Sequence, residues 1–147
     1  LPATDAEKDD LTWVWHAMGV WSDVPEALER LRTRYKVTIL SVLSLSILVD
    51  SSKHAGISWD GMMSCEFLTH YKPEPESYRQ GAALLACDVG ETMMVAVHPG
   101  DLAAAATAGM RTGFVEPKME EAGSAGDSSG FDVRASDYAD FATQMGC

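Results

Sequence analysis

Thr92-Met93-Met94-Val95-Ala96-Val97-His98-Pro99-Gly100-Asp101 decides how this chain folds. Five unbroken apolar residues, Met93 to Val97, run through His98-Pro99-Gly100 into a carboxylate. A short continuous apolar run reads as a strand covered on both faces, which is the habit of parallel sheets. Two more runs share the plan. Lys36-Val37-Thr38-Ile39-Leu40 runs into Ser41, and Met62-Met63-Ser64-Cys65 leads through a short loop to Lys72. In open α/β sheets ligands bind outside the carboxyl ends of the strands. A hydroxyl, an ammonium and a carboxylate are therefore expected at one rim.

Helical patterns alternate with these strands. Ala6 to Met18 places Leu11, Val14, Trp15 and Met18 on one face. Pro25 suits a first helical turn, with Ser22 or Asp23 as cap, and Ala27, Leu28, Leu31 and Tyr35 form a buried stripe. Ser44 to His54 reads as a helix closed by Gly56, Pro75 to Cys87 as another, and Asp101 to Ala108 as an alanine-rich one ended by Gly109. Arg111 to Val115 reads as a fourth strand, Glu116 to Gly130 as a surface loop, Phe131 to Arg134 as an edge strand and Asp137 to Met145 as a closing helix. The alternation predicts an α/β fold, a Rossmann-like parallel sheet with helices on both faces.

At 147 residues the chain fits one domain with a sizeable core. Its formal charge of -11 argues against nucleic acid or an anionic membrane surface as a partner. Cys65, Cys87 and Cys147 are odd in number and lack zinc-ligand spacing, so they read as reduced thiols in a cytoplasmic protein. No apolar stretch is long enough to span a bilayer. The chain begins with Leu, which reads as a processed or incomplete start. GxGxxG, GxxxxGK[ST] and GxSxG motifs are absent, which argues against a phosphate-cradling loop and a triad hydrolase.

Each candidate site residue has a plain structural reading as well. Asp101 reads as a helix cap or as a functional carboxylate. Lys72 reads as a solvated loop charge or as the partner of an anion. Tyr78, in the first turn of the helix after Lys72, is placed to reach the same rim. Ser41 and Ser44 read as caps or as donors to an anion, assisted by the amides that open the next helix. His98 reads as an exposed loop residue or as pocket lining. His16, His54 and His70 are scattered, which argues against a metal centre. Trp13, Trp15, Trp21 and Trp59 read as packing residues, or as exposed apolar surface where a partner is missing.

In this order these residues resemble the haloacid dehalogenase superfamily, and within it the type II 2-haloacid dehalogenases. Leu40-Ser41 matches the family's second motif. Tyr71-Lys72-Pro73-Glu74-Pro75-Glu76-Ser77-Tyr78 matches its third, and Met93 through Asp101 its fourth. Gly109 to Val115, Ala55 to Asp60 and Phe131-Asp132-Val133 fit as well. The family's first motif, an aspartate nucleophile in DxxGT, has no counterpart; Asp88-Val89-Gly90-Glu91-Thr92 reads as a turn. The chain thus resembles the C-terminal part of such an enzyme, with residues 1–23 as a remnant of the helical cap and its linker. Residues 24–147 resemble the core without its first strand. Val42 stands where the family often has Asn.

The resemblance implies hydrolytic removal of halide from a small 2-haloacid through an aspartyl ester. Lys72, Asp101 and Ser41 would be catalytic. Ser41, Ser44, Tyr78 and His98 would bind a small anionic substrate. No cofactor is expected and a homodimer is compatible with the family. Without its aspartate the chain is expected to be inactive alone, and without its first strand to be weakly stable or self-associating. Two other readings stay open: a Mg²⁺-dependent phosphatase of the same superfamily, and a non-catalytic binding module of the same fold.

Overall fold

The computed structural model describes residues 3–118 and 130–147. Six α-helices and five strands alternate along them: α1 (Asp5–Val14), α2 (Val24–Arg32), β1 (Thr38–Ser41), α3 (Leu45–Ala55), β2 (Gly61–Ser64), α4 (Pro75–Leu84), β3 (Met93–Ala96), α5 (Pro99–Ala108), β4 (Arg111–Val115), β5 (Val133–Ala135) and α6 (Tyr138–Gln144). All strand pairs are parallel, and helices cover both sides, as the alternation predicts.

The strands form two sheets. β1 pairs with β2, in a register that sets Ser41 beside Ser64. β3, β4 and β5 form the other sheet in that order. Between β1 and β3 lies a cavity of about 800 Å³, bordered by Thr38–Leu40 on one wall and Met93–Val95 on the other. Helices close it from both faces: Leu28 and Phe141 come from α2 and α6, and Gly81 and Ala82 from α4.

Helix boundaries follow local chemistry. Thr4 caps α1, and Glu7 returns the bond by accepting from the Thr4 amide at 2.7 Å. Ser44 caps α3, which stops at Gly56 with φ of 68°. Pro75 and Pro99 sit in the first turns of α4 and α5, where a missing N–H does no harm.

The main core joins α2 and α6 to the sheet through Leu28, Leu31, Val115, Phe141 and Ala142. A second cluster joins α4 to α5 through Tyr78, Ala105 and Ala108, with Leu40 and Met94 against it.

Several expectations need correction. α2 ends at Arg32, so Tyr35 lies beyond it and is exposed. Asp23 precedes α2 without a side-chain cap bond; its carboxylate takes the Tyr138 amide and the Lys118 ammonium. The helix read as Ala6 to Met18 passes into a 3-10 turn at Trp15–Ala17. Its apolar face is open, with Leu11 65% and Val14 64% exposed. Trp13 and Trp15 are likewise exposed, whereas Trp21 and Trp59 pack on the main core. α5 begins at Pro99 rather than Asp101, because proline's fixed φ suits a first helical position. Most of the loop read over Glu116 to Gly130 lies outside the described residues.

Candidate active site

Asp101 occupies the first turn of α5, where the helix's positive end favours a carboxylate. It is not the cap; its amide bonds back to the His98 carbonyl, and both its oxygens point to other elements. Lys72 Nζ donates to Asp101 Oδ2 at 2.8 Å. The Tyr78 hydroxyl donates to Asp101 Oδ1. The capping alternative for Asp101 therefore fails, since the side chain spans β3's end and the start of α4.

Lys72 lies just before a cis bond to Pro73 and is only 13% exposed. Besides Asp101, it donates to the Leu40 carbonyl at 3.2 Å and stands 5.7 Å from the centroid of the Tyr78 ring. Two of its three donors are thus engaged, which leaves one for a further acceptor. The solvated-charge reading of Lys72 is excluded by this burial.

Tyr78 is fully buried in the α4–α5 cluster. Burial pushes its phenol well above the usual tyrosine value, and the bond to the Asp101 carboxylate pushes in the same direction. It remains a hydrogen-bond donor throughout the physiological range.

Ser41 ends β1 and accepts from the Leu43 amide at 3.1 Å, which bends the chain towards α3. Its own proton stays free to donate. Ser44 caps α3 by accepting from Ile47 and lies 3.1 Å from Ser46 Oγ. The α3 amino end already carries an anion, because Glu66 accepts from the Leu45 amide at 2.7 Å. The expectation that these amides assist a bound anion must be revised to that extent. His98 is exposed at the start of α5, and its side chain makes no hydrogen bond among the described residues.

Lys72, Tyr78 and Asp101 are therefore brought into contact, with Ser41 one residue beyond the carbonyl that Lys72 touches. Ser44 and His98 are not joined to that cluster. Sequence reasoning missed Ser64 and Glu66. Ser64 is fully buried and donates to the Leu43 carbonyl at 2.8 Å, so the two residues pin the loop between Ser41 and Ser44. Ser64's place at the end of an apolar run, like Ser41's, was the available signal. A smaller hollow of about 390 Å³ beside Phe67 and Leu84 has no acid or base in its wall.

Among the described residues, no three His, Cys, Asp or Glu side chains come together as a metal site would require. Among the described residues, no helix is long and apolar enough to cross a membrane.

No protein-family model and no curated protein matches the chain. Solved structures do. An L-2-haloacid dehalogenase superposes with a TM-score of 0.91 at 28% identity, over 99% of this chain and 64% of its own. A defluorinating L-2-haloacid dehalogenase superposes at 0.87 with 31% identity, over 99% of this chain and 61% of its own. The L-2-haloacid dehalogenase of Xanthobacter autotrophicus with chloropropionic acid covalently bound gives 0.87 at 18% identity, over 99% of this chain and 68% of its own, and shares the fold. The chain thus spans less than two thirds of the first two.

Proposed function

Because this chain has the α/β fold of the haloacid dehalogenase superfamily and resembles its L-2-haloacid dehalogenases, we propose that it is the larger part of a hydrolase removing halide from a small 2-haloacid. The observation that carries the reading is Asp101, held by the Lys72 ammonium and the Tyr78 hydroxyl at the carboxyl ends of β1 and β3.

The chemistry needs an aspartate that this chain does not place at the site. Its carboxylate oxygen would attack the α-carbon, and the halide would leave with the bonding electrons. Water would then cleave the ester at its carbonyl, giving a 2-hydroxy acid and returning the carboxylate and one proton. Lys72 would hold the attacking carboxylate with its remaining donor. Asp101 would keep Lys72 aimed, and would orient the water. Ser41 would donate to the substrate carboxylate. Ser44 and His98 would act at the margin, and residues 1–23 would be the end of a helical cap.

A magnesium site fits these residues poorly. Both Asp101 oxygens are already engaged, one of them by the Lys72 ammonium at 2.8 Å, which would repel a cation bound there. The phosphatase reading is therefore the weaker one.

Chloride release from 2-chloropropionate tests the proposal. The 147-residue chain should be silent, and the same chain with any coding sequence preceding Leu1 in frame should turn over. Silence in the extended protein, or phosphate release from p-nitrophenyl phosphate that depends on magnesium, would overturn it.

A further inference from the structure

We propose that Ser64 is a positioning residue, which acts through the Leu43 backbone to aim the Ser41 hydroxyl out of the fold as a donor to a bound carboxylate. The parallel register sets Ser41 and Ser64 side by side at the carboxyl ends of β1 and β2. Beyond them the Leu43 backbone lies between the two side chains. Its carbonyl accepts from Ser64 Oγ at 2.8 Å, and its amide donates to Ser41 Oγ at 3.1 Å. The φ and ψ of one residue thus link the two hydroxyls. Ser64 is fully buried, so its hydroxyl cannot fall back on solvent. Its single proton has two acceptors within reach, the Leu43 carbonyl at 2.8 Å and Glu66 Oε2 at 3.3 Å, and the shorter bond takes it. A Ser64 lone pair accepts from the Glu66 amide at 3.1 Å. Glu66 in turn accepts from the Leu45 amide at 2.7 Å. The end of β2 therefore grips the turn between β1 and α3 at Leu43 and again at Leu45.

The consequence falls on Ser41. A hydroxyl carries one proton and two lone pairs. With one lone pair spent on the Leu43 amide, the O–H must point away from that amide, and no acceptor among the described residues takes it. Val42, next in the chain, is 51% exposed, so this side of the turn is open. Lys72 marks the same rim through its bond to the Leu40 carbonyl. A fixed hydroxyl donor beside an ammonium suits a small carboxylate. Without the Ser64 bond, Leu43 is free to turn, its amide leaves Ser41, and the hydroxyl rotates among its staggered positions. The loss then appears in binding of the anion. That the anion is a 2-haloacid or its 2-hydroxy acid rests on the proposed function; the coupling of the two serines does not.

The test uses 2-hydroxypropionate, which has no halide to lose, and the 147-residue chain with any coding sequence preceding Leu1 in frame. Ser41→Ala and Ser64→Ala are each expected to raise its Kd at least about threefold. The double variant should bind no more than about twofold more weakly than Ser41→Ala, because Ser64 acts only through Ser41. Amide hydrogen exchange should be at least about fivefold faster at Leu43 in Ser64→Ala, and unchanged at Ile47, whose amide donates to Ser44 Oγ. A merely structural role for Ser64 would leave the Kd alone or make the two losses multiply, and either result overturns the proposal. Unchanged exchange at Leu43 overturns it as well. Where Ser64→Ala does not fold, Ser64→Cys, whose thiol is a weak donor, takes its place with the same expectations. A wild-type chain that does not bind 2-hydroxypropionate would overturn the carboxylate part. Binding without chloride release from 2-chloropropionate would count against the proposed function alone.

Discussion

Lys72 Nζ lies 2.8 Å from Asp101 Oδ2, and this ion pair bridges the two sheets at their carboxyl ends. The side chains are 13% and 20% exposed, so solvent screens them far less than a surface pair. Their neighbour Tyr78 completes the set from α4, and the Leu40 carbonyl completes it from β1.

Asp101→Asn should cost about 1–3 kcal/mol of stability, because it leaves a mostly buried ammonium without its counter-charge and one acceptor oxygen for two donors, Lys72 and Tyr78. Urea unfolding measures it. Glu116→Gln, which breaks the exposed pair with Arg134, should cost under about 0.5 kcal/mol in the same assay. Equal losses would show that the buried cluster holds nothing together.

Lys72→Met should lower kcat/KM for 2-chloropropionate by about two to three orders of magnitude in a chain that turns over, since it removes the cation proposed to hold the attacking carboxylate. Lys72→Arg should not restore it. A planar guanidinium cannot place one point donor on Asp101 and another on the Leu40 carbonyl in the same space. Full activity in the Arg variant would contradict the assigned role.

Tyr78→Phe should change the alkaline limit of stability. The phenol's ordinary value is 10.0, and burial followed by the Asp101 carboxylate raises it in the fold. A raised folded value means that the contribution is complete below pH 10 and is lost as pH rises towards the folded value, because the unfolded chain ionises first. The wild type should therefore lose stability more steeply than the Phe variant above pH 10, in denaturant titrations at stepped pH. Half-buried Tyr138 shifts in the same direction and supplies a residual slope in both proteins.

Asp60→Asn should flatten the acid limb. Asp60 accepts from the Val37 amide at 2.8 Å and from Arg32 Nε at 2.9 Å, and these bonds hold its carboxyl below the usual range. A depressed folded value gives stability that is present above the ordinary 3.8 and lost as pH falls through the folded one. Stability between pH 5 and pH 3 should fall less in the variant.

Gly113→Ala should cost about 1–3 kcal/mol, since a Cβ there would stand 2.7 Å from Phe141 Cε2 and 3.3 Å from Met93 Sδ. Thermal unfolding reports it. Gly100→Ala, with nothing within 4 Å of its Cβ position, is the neutral control.

Much of the fold was legible because its signals are local. The run Val37 to Leu40 became β1 at Thr38–Ser41, and Met93 to Val97 became β3 at Met93–Ala96. Ser44 and Gly56 bounded α3 as capping chemistry requires. Tyr35 was misplaced because the apolar period continued past the residue where the helix stops. Trp13 and Trp15 follow the exposed alternative rather than the packed one, because amphipathic spacing says which face is apolar, not whether anything covers it.

At the site, the residue types were readable one by one, and their roles remain proposed. Lys72, Tyr78 and Asp101 each had a plainer explanation in sequence, since a lysine before proline or an aspartate before a helix is usually solvent-facing or a cap. Only their convergence removes those alternatives, and convergence belongs to packing between elements up to 29 residues apart. Glu66 at the amino end of α3 shows the same limit. Its carboxylate occupies an amide that sequence reasoning left open to a ligand.

The sequence by itself determined the alternation of strands and helices and the chemical groups at the strand ends, because these follow from side-chain period, caps and breakers within a few residues. The tertiary structure alone decided that β1 and β3 stand apart with a cavity between them. It alone decided that one lysine spans their ends, because the partners of a strand edge and of a buried charge are chosen across the whole chain.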